Sequence, residues 1–293
     1  MGANPISAAD AFAAERARLF GIAYRMLGSR ADAEDVLQDA WLRWSESQTE
    51  ELRSTQAWLT TIVTRLSIDR MRSAKAQREV YIGPWLPEPL ADIDSATPET
   101  KAEQASDLSI AFLNMLERLG PEERAAFVLH DAFDCDYDDI AAMLGKSAAA
   151  CRQLVHRARE RVTSERRRFQ VDEQTRLRML ERFVSAANDG NIEELKSLFA
   201  SDAHLISDSG GKATAALRIL HGAERIAQLW MMIFRRGLVI DRRIVRVNGE
   251  LGIATSFNGK LHSVTTIDTD GERIYAYYTV ANPDKLADFS RAG

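Results

Sequence analysis

The first half of the chain carries its apolar residues at helical spacing, and the last quarter alternates them with polar ones. Phe12, Leu19, Ile22, Ala23, Met26 and Leu27 fall on one helix face and stop at Gly28, which predicts a first amphipathic helix. After Ser29 or Arg30 a second helix starts in the acidic run Asp32-Ala-Glu-Asp-Val-Leu-Gln-Asp-Ala-Trp-Leu-Arg-Trp44. A polar stretch, Ser45 to Ser54, precedes a third. That helix turns Leu59, Ile62, Val63 and Leu66 inward and Arg65, Asp69 and Arg72 outward, and runs on through Lys75 and Arg78. A second helical block, with Pro121 at a favoured first helical position, leads to the most informative pattern in the chain. Asp136 and Asp139 form an N-cap pattern, and Tyr137, Ile140, Ala141 and Leu144 share a face. Gly145 ends that helix, since glycine enters the left-handed C-terminal conformation cheaply. Ser147 caps the next helix, where Cys151, Leu154, Val155, Ala158 and Val162 make one apolar stripe. Ala149, Arg152, Gln153, His156 and Arg157 point the other way. A capped helix, a tight turn and a helix with outward Arg and Gln fit a DNA major groove; a solvated bundle helix is the blander reading.

Between the two helical blocks the pattern breaks. Five of the seven prolines fall at Pro84, Pro87, Pro89, Pro98 and Pro121, and proline blocks helix continuation, so roughly Ile82 to Gln104 reads as a linker. Within it Gly83-Pro-Trp-Leu-Pro-Glu-Pro-Leu90 is unusual, because a free linker has no use for Trp85 and Leu86. Either the segment docks elsewhere or Trp85 packs on its own domain. After Phe169 come helices over Glu173 to Ala187, Ile192 to Phe199 and about Ala223 to Arg235. Three hairpin dipeptides follow, Asn248-Gly249, Asn258-Gly259 and Asp270-Gly271, and they predict a meander of four antiparallel strands. Helices ahead of a curved antiparallel sheet make an α+β domain.

Charge and cysteine content refine this picture. The net charge of −5 over 293 residues does not suggest nucleic-acid binding, but the average hides segregation. From Lys146 to Arg168 the basic residues Lys146, Arg152, Arg157, Arg159, Arg161, Arg166, Arg167 and Arg168 face only Glu160 and Glu165 as acids. Local charge is what governs phosphate contact. Cys135 and Cys151 are too few for a disulfide framework or a zinc cluster, so both are expected to be reduced and structural. No metal and no cofactor is expected. Met1 to Phe20 lacks a basic-then-apolar leader pattern, no apolar run approaches a membrane span, and the expected compartment is the cytoplasm.

Three blocks together resemble a known family. Asp32 to Trp41, with Ala57-Trp-Leu-Thr-Thr-Ile-Val-Thr-Arg-Leu-Ser-Ile-Asp-Arg-Met-Arg-Ser73, resembles region 2 of a sigma-70 factor of the extracytoplasmic-function type. Leu119-Gly-Pro-Glu-Glu-Arg124 and the helix–turn–helix resemble region 4. The last block resembles a SnoaL-like domain, the cone-shaped fold shared with nuclear transport factor and ketosteroid isomerase. One subgroup of these sigma factors carries such a fused domain, marked by Trp-Leu-Pro-Glu-Pro (Trp85, Leu86, Pro87, Glu88, Pro89) and Asn-Pro-Asp-Lys-Leu (Asn282, Pro283, Asp284, Lys285, Leu286). Its third mark, Asp-Gly-Gly-Gly-Lys, reads here Asp208-Ser-Gly-Gly-Lys212, with Ser209 departing and Asp208, Gly210, Gly211 and Lys212 kept. The expected fold is therefore multidomain: sigma region 2 over residues 8–81, a linker over 82–105, sigma region 4 over 106–169, and an α+β SnoaL-like domain over 173–293.

The resemblance implies roles. Asp35, Gln38, Asp39 and Trp41 would meet a coiled coil of the RNA polymerase β′ subunit, although Trp41 and Trp44 also suit a core. Arg65, Arg72, Lys75 and Arg78 would touch the backbone of the −10 promoter element, with the Ser45 to Ser54 loop catching extruded bases. Ser147, Ala149, Arg152, Gln153, His156, Arg157 and Arg166 would read the −35 element or hold its phosphates, Arg157 being equally suited to an internal salt bridge. The C-terminal domain would act as a built-in regulator, with Asp208, Lys212 and the Asn282–Leu286 tail holding the Trp85–Pro89 segment and an unknown small ligand as a further partner. Two other functions compete: a one-component helix–turn–helix regulator with a ligand-sensing domain, and a SnoaL-like isomerase or cyclase using Asp208, His204, His221 or His262. No convergent catalytic set is visible, and the chain is expected not to be an enzyme.

Overall fold

Three helices form from the first block: α1 (Ala8–Leu27), α2 (Arg30–Glu46) and α3 (Thr55–Arg78). Their apolar stripes meet, so Leu19, Ile22, Met26, Val36, Leu37, Leu59 and Val63 are buried together. Aromatic contacts close the open end of this bundle. Trp44 is buried 5.4 Å from Trp58 and donates to the Ala8 carbonyl at 2.8 Å, while Trp41 stays half-buried, edge-on to Phe12 at 5.2 Å. In the computed structural model, which describes residues 8–46, 54–78, 80–91, 108–165, 171–287 and 289, the chain divides into two units. One is Met1–Glu79 with Met115–Arg166, the other Val80–Asn114 with Arg167–Gly293.

Helix α4 (Ile110–Leu116) starts in the second unit and ends in the first, which continues through α5 (Pro121–Phe127), a π-helical turn over Val128–Ala132, α6 (Tyr137–Leu144) and α7 (Ala148–Glu165). Local chemistry sets the helix–turn–helix. Gly145 takes φ 65 and its N–H returns to the Ala141 carbonyl, and the Ser147 hydroxyl accepts from the Ala150 N–H at 3.2 Å. Asp136 is the backbone N-cap of α6, but its side chain makes no cap hydrogen bond. Cys151, Leu154, Val155, Ala158 and Val162 are all buried, as the stripe predicts.

In the second unit, helices α8 (Glu173–Asp189), α9 (Ile192–Leu198) and α10 (Ala223–Phe234) cover one face of a six-stranded sheet. Its strands are β1 (Phe199–Asp208), β2 (Leu220–His221), β3 (Ile240–Val247), β4 (Glu250–Phe257), β5 (Lys260–Thr269) and β6 (Ile274–Val280), in the order β2-β1-β6-β5-β4-β3. The hairpin dipeptides give the meander β3 to β6, with Asn248 and Asn258 at positive φ. The sheet then goes beyond the meander. β1 joins β6 in parallel and β2 extends the edge antiparallel, so the sheet is mixed. This is the α+β, SnoaL-like architecture, and it has a core on each side of the sheet. Phe183, Phe199, Trp230 and Tyr277 pack under the helices. On the opposite face Ile206, Val264, Tyr278 and Val280 are covered by Leu86 of the linker, Ile110 and Leu286 of the tail.

Candidate functional site

The site with the densest chemistry lies at the C-terminal end of β1, where Asp208 is wholly buried. A carboxylate is costly to bury unless it is paired and hydrogen-bonded. Asp208 meets that demand with groups from two distant segments and from its own loop. Its Oδ1 accepts from the Tyr81 hydroxyl at 2.5 Å and the Gly210 N–H at 3.1 Å; its Oδ2 accepts from the Leu86 N–H at 2.8 Å and Lys285 Nζ at 2.7 Å. The backbone carbonyl of Asp208 takes the Ala281 and Asn282 N–H groups at 2.7 and 2.9 Å. Lys285 completes the clasp, donating to the Leu86 carbonyl at 2.6 Å and standing 4.0 Å from the Trp85 ring centroid. Asn282 donates to the Tyr81 hydroxyl at 2.9 Å.

Several expected residues therefore come together. Leu86 is fully buried, Pro87 and Pro89 are buried beside it, Glu88 is half-buried, and Trp85 packs on Lys285 within this unit. Pro283 starts a short 3₁₀ turn, Pro283–Lys285, whose N-cap is the Asn282 side chain. Lys212 stands apart from the linker: it ion-pairs with Asp284, both exposed. Ser209 costs nothing here, because the left-handed positions are Gly210 (φ 55) and Gly211 (φ 73). A Cβ on Gly210 would lie 2.5 Å from Asn282 Nδ2, so glycine is needed both for conformation and for approach.

Two members of the clasp were not legible beforehand. The sequence marks Tyr81 only as the end of the first block. The sequence marks Asn248 only as a turn residue, yet it is fully buried and holds both the linker and the start of the next block. Its Oδ1 accepts from the Leu90 N–H at 2.7 Å, and its Nδ2 donates to the Leu108 carbonyl at 2.6 Å. The sequence signal was the hairpin dipeptide itself, which says nothing about where the side chain reaches.

Burial, and then the bond to Asp208, push the Tyr81 phenol above its ordinary value of 10.0. The raised value means that the unfolded chain ionises first, so Tyr81 contributes stability fully below pH 10 and progressively less above it. Tyr81→Phe should cost about 1–3 kcal/mol at neutral pH, the worth of a hydrogen bond to a charged group. Urea unfolding at pH 8 and at pH 10.5 should show a shallower alkaline loss in the variant than in the parent. Tyr277, raised by its own burial, is common to both proteins and cancels in the difference. Equal losses would remove Tyr81 from the clasp.

In the first unit the expected nucleic-acid and polymerase residues sit on three faces. On α2, Asp35, Gln38 and Asp39 are exposed, and Leu42 beside them is a 51% exposed apolar residue. Asp35 shares Arg70 with Asp32, at 3.0 and 2.6 Å. On α7, Ala149, Arg152, Gln153, His156 and Arg157 are all exposed. Arg152 lies over the Tyr137 ring, His156 is 3.5 Å from Glu160, and Arg157 pairs with Glu123 at 3.0 Å. On α3 the guanidiniums expected for the −10 element are engaged by the second helical block. Arg65 donates to the Met143 and Ala142 carbonyls at the end of α6, at 2.9 and 3.3 Å. Arg72 pairs with Glu122 at 3.1 Å, and Lys146 meets the same carboxylate at 3.0 Å. Lys75 and Arg78 lie on the last turns of α3 with side chains outside the described residues, as are Arg166 and residues 47–53 of the candidate base-capture loop.

The candidate acid/base residues are not gathered into one set. His204 and His221 are register partners on β1 and β2, and His204 lies four positions before Asp208 on the same strand, about 13 Å away at strand rise. His262 stacks on Phe257 at 4.2 Å on the far hairpin. Among the described residues there is no group of His, Cys, Asp and Glu that could hold a metal ion, and no helix is long and apolar enough to cross a membrane. Cys135 and Cys151 are both free thiols.

A sigma-70 region 2 model matches residues 11–77, and a sigma-70 region 4 model matches residues 109–162. The chain is 37% identical over 287 residues to the ECF RNA polymerase sigma factor SigJ of Mycobacterium tuberculosis, a match covering 94% of this chain and 92% of that one. The crystal structure of Mycobacterium tuberculosis extracytoplasmic function sigma factor SigJ superposes with a TM-score of 0.75 at 34% identity, covering 94% and 97% of the two chains. The probable ECF RNA polymerase sigma factor SigI of the same organism is 34% identical over 194 residues, 66% of each chain.

Proposed function

Because the chain belongs to the extracytoplasmic-function RNA polymerase sigma factors, carrying a SnoaL-like domain behind regions 2 and 4, we propose that this domain regulates promoter recognition in cis by holding the interdomain linker. A sigma factor binds core RNA polymerase and promoter DNA and is not an enzyme, so catalysis in the α+β domain is not needed to account for the chain. The observation that carries the regulatory reading is Asp208, whose carboxylate is saturated by the linker, the Gly210 loop and the tail. That saturation also leaves it no free lone pair for acid/base chemistry.

Finer assignments follow from the exposed faces. The α2 surface of Asp35, Gln38, Asp39 and Leu42, with Trp41 at its edge, is the docking face for the β′ coiled coil. Arg152 and Gln153 read base edges of the −35 element, Ala149 and His156 flank them, and Ser147 and Arg157 lie at the phosphates, with Arg166 beyond. Arg157 would have to exchange Glu123 for DNA. Arg65 and Arg72 serve the −10 backbone only after leaving Met143, Ala142 and Glu122, so their present bonds describe a closed form of the sigma modules. Lys75 and Arg78 extend the same basic edge, and the cytoplasm is where such a factor works.

The test is promoter-specific transcription in vitro with core RNA polymerase. The full chain, residues 1–169 and a chain ending at Ala281 would be compared. Initiation dependent on this protein is expected, and removing the tail, which supplies Asn282 and Lys285, should raise it several-fold. Equal output from all three would remove the regulatory reading.

A further inference from the structure

The second unit holds a half-open cavity of 650 Å³, within the range that holds a small organic molecule. Leu205, Leu220, Leu229, Ile233, Leu238 and Phe257 are among its apolar lining residues. Ser207, Thr255, Ser263 and Thr279 also line it, and the Thr279 hydroxyl already bonds that of Thr265 at 3.1 Å. Trp230 lines it as well, is 9% exposed, and has a buried indole N–H without a hydrogen-bond partner among the described residues. Such a donor is costly to bury and is a natural point for a ligand acceptor. The charge of the lining is one-sided. Arg225 and Arg236 are exposed members of it, neither guanidinium has a partner among the described residues, and no carboxylate lines the cavity.

The cavity shares its wall with the clasp. Ser207 precedes Asp208, and Ala281, another lining residue, donates its N–H to the Asp208 carbonyl. The loop between β1 and β2 touches both: Thr214, Ala215 and Ala216 line the cavity, while Gly210 approaches Tyr81, Gly211 approaches Ile82 and Leu217 lies beside Gly83. One short segment is thus cavity wall on one stretch and linker seat on the next.

We propose that this cavity binds an apolar carboxylate, a molecule with a hydrophobic body and one anionic head at the Arg225 and Arg236 rim, and that its occupancy changes the hold of the clasp on the linker. The inference rests on the regulatory reading above for its consequence, but its binding step stands alone. Two dyes with the same naphthylamine body test it on the full chain: 1-anilinonaphthalene-8-sulfonate, which is anionic, and N-phenyl-1-naphthylamine, which is neutral. Fluorescence titration should give the anionic dye about tenfold tighter binding, a preference that two rim cations can supply. Arg225→Gln with Arg236→Gln should level the two dyes. Filling the cavity by Ser263→Phe from the sheet or Ala216→Phe from the loop should abolish both; the second covers a failure of the first to fold. Equal affinities in the parent, or dye binding untouched by a folded filling variant, would overturn the site. Asp208→Asn should shift the affinity for the anionic dye, because coupling between two sites is reciprocal; an unchanged affinity would overturn the link to the clasp. Failure of binding while tail removal still alters initiation would defeat this inference and leave the regulatory reading intact.

Discussion

Asp208→Ala should destabilise the second unit by about 3–5 kcal/mol, the usual cost of breaking a buried ion pair by removing one partner. Global stability of a domain is about 5–15 kcal/mol, so this is a large fraction of it. The loss has two parts. Lys285, whose side chain is only 12% exposed, is left as a cation facing the Leu86 carbonyl and the Trp85 ring without its carboxylate. The Tyr81 hydroxyl and the Leu86 and Gly210 N–H groups lose their acceptor, in a site that is buried at Leu86 and partly buried at the other two. Adding Lys285→Met to Asp208→Ala should recover part of the loss, because the stranded cation goes with its partner. Urea unfolding followed by tryptophan fluorescence, with limited proteolysis of the Trp85–Leu90 segment, reads both effects. A variant as stable as the parent, with the segment equally protected, would mean that the apolar cover by Leu86 and Leu286 holds the linker without Asp208.

Arg124→Ala should cost the first unit a similar amount, about 3–5 kcal/mol. Arg124 is 1% exposed; its Nε donates to the Arg25 carbonyl near the end of α1 at 2.9 Å, and it is ion-paired with Glu117, itself 14% exposed. Burial pushes its guanidinium down to about 9, still well above neutral pH, so it enters the core as a cation. One side chain thus ties the second helical block to α1, and alanine would leave a carboxylate and a backbone carbonyl without their donor. Its Nη2 has no partner among the described residues, so the native arrangement is already imperfect. Arg124→Met with Glu117→Leu should therefore be much milder than Arg124→Ala alone. Thermal unfolding of the three proteins distinguishes these cases, and a single variant within about 0.5 kcal/mol of the parent, the ordinary surface value, would deny Arg124 this role.

What sequence reasoning captured and missed divides along contact range. Gly145, Ser147 and the stripe from Cys151 to Val162 were legible because caps and helical faces are decided within a few residues. The meander was legible for the same reason, since each Asn-Gly or Asp-Gly turn joins neighbouring strands. The parallel pairing of β1 with β6 was not, because a crossover leaves no local mark. Asp208 and Lys285 were found only through motifs, and no periodicity points to either. Tyr81 meets Asp208 across 127 residues, and Leu90 meets Asn248 across 158, so nothing near any of them in the chain announces the contact. Arg65 shows a contact that helical facing alone does not announce. An outward arginine on a helix reads as a phosphate ligand, but two helix-end carbonyls satisfy the same donors.

The clasp joins parts of a single polypeptide, and this fixes how it responds to amount. An inhibitor on a separate chain is titrated: its grip depends on the ratio of two expression levels and slackens on dilution. Closure between Asp208 and the Tyr81–Leu86 segment is first order, so the engaged fraction is the same at one copy per cell as at a thousand. More protein yields proportionally more of both forms and never a changed ratio. On the proposed regulatory reading, the balance shifts only with the free energy of the seat or with a partner that binds one form alone, which would make the device a reader of chemistry rather than of its own copy number.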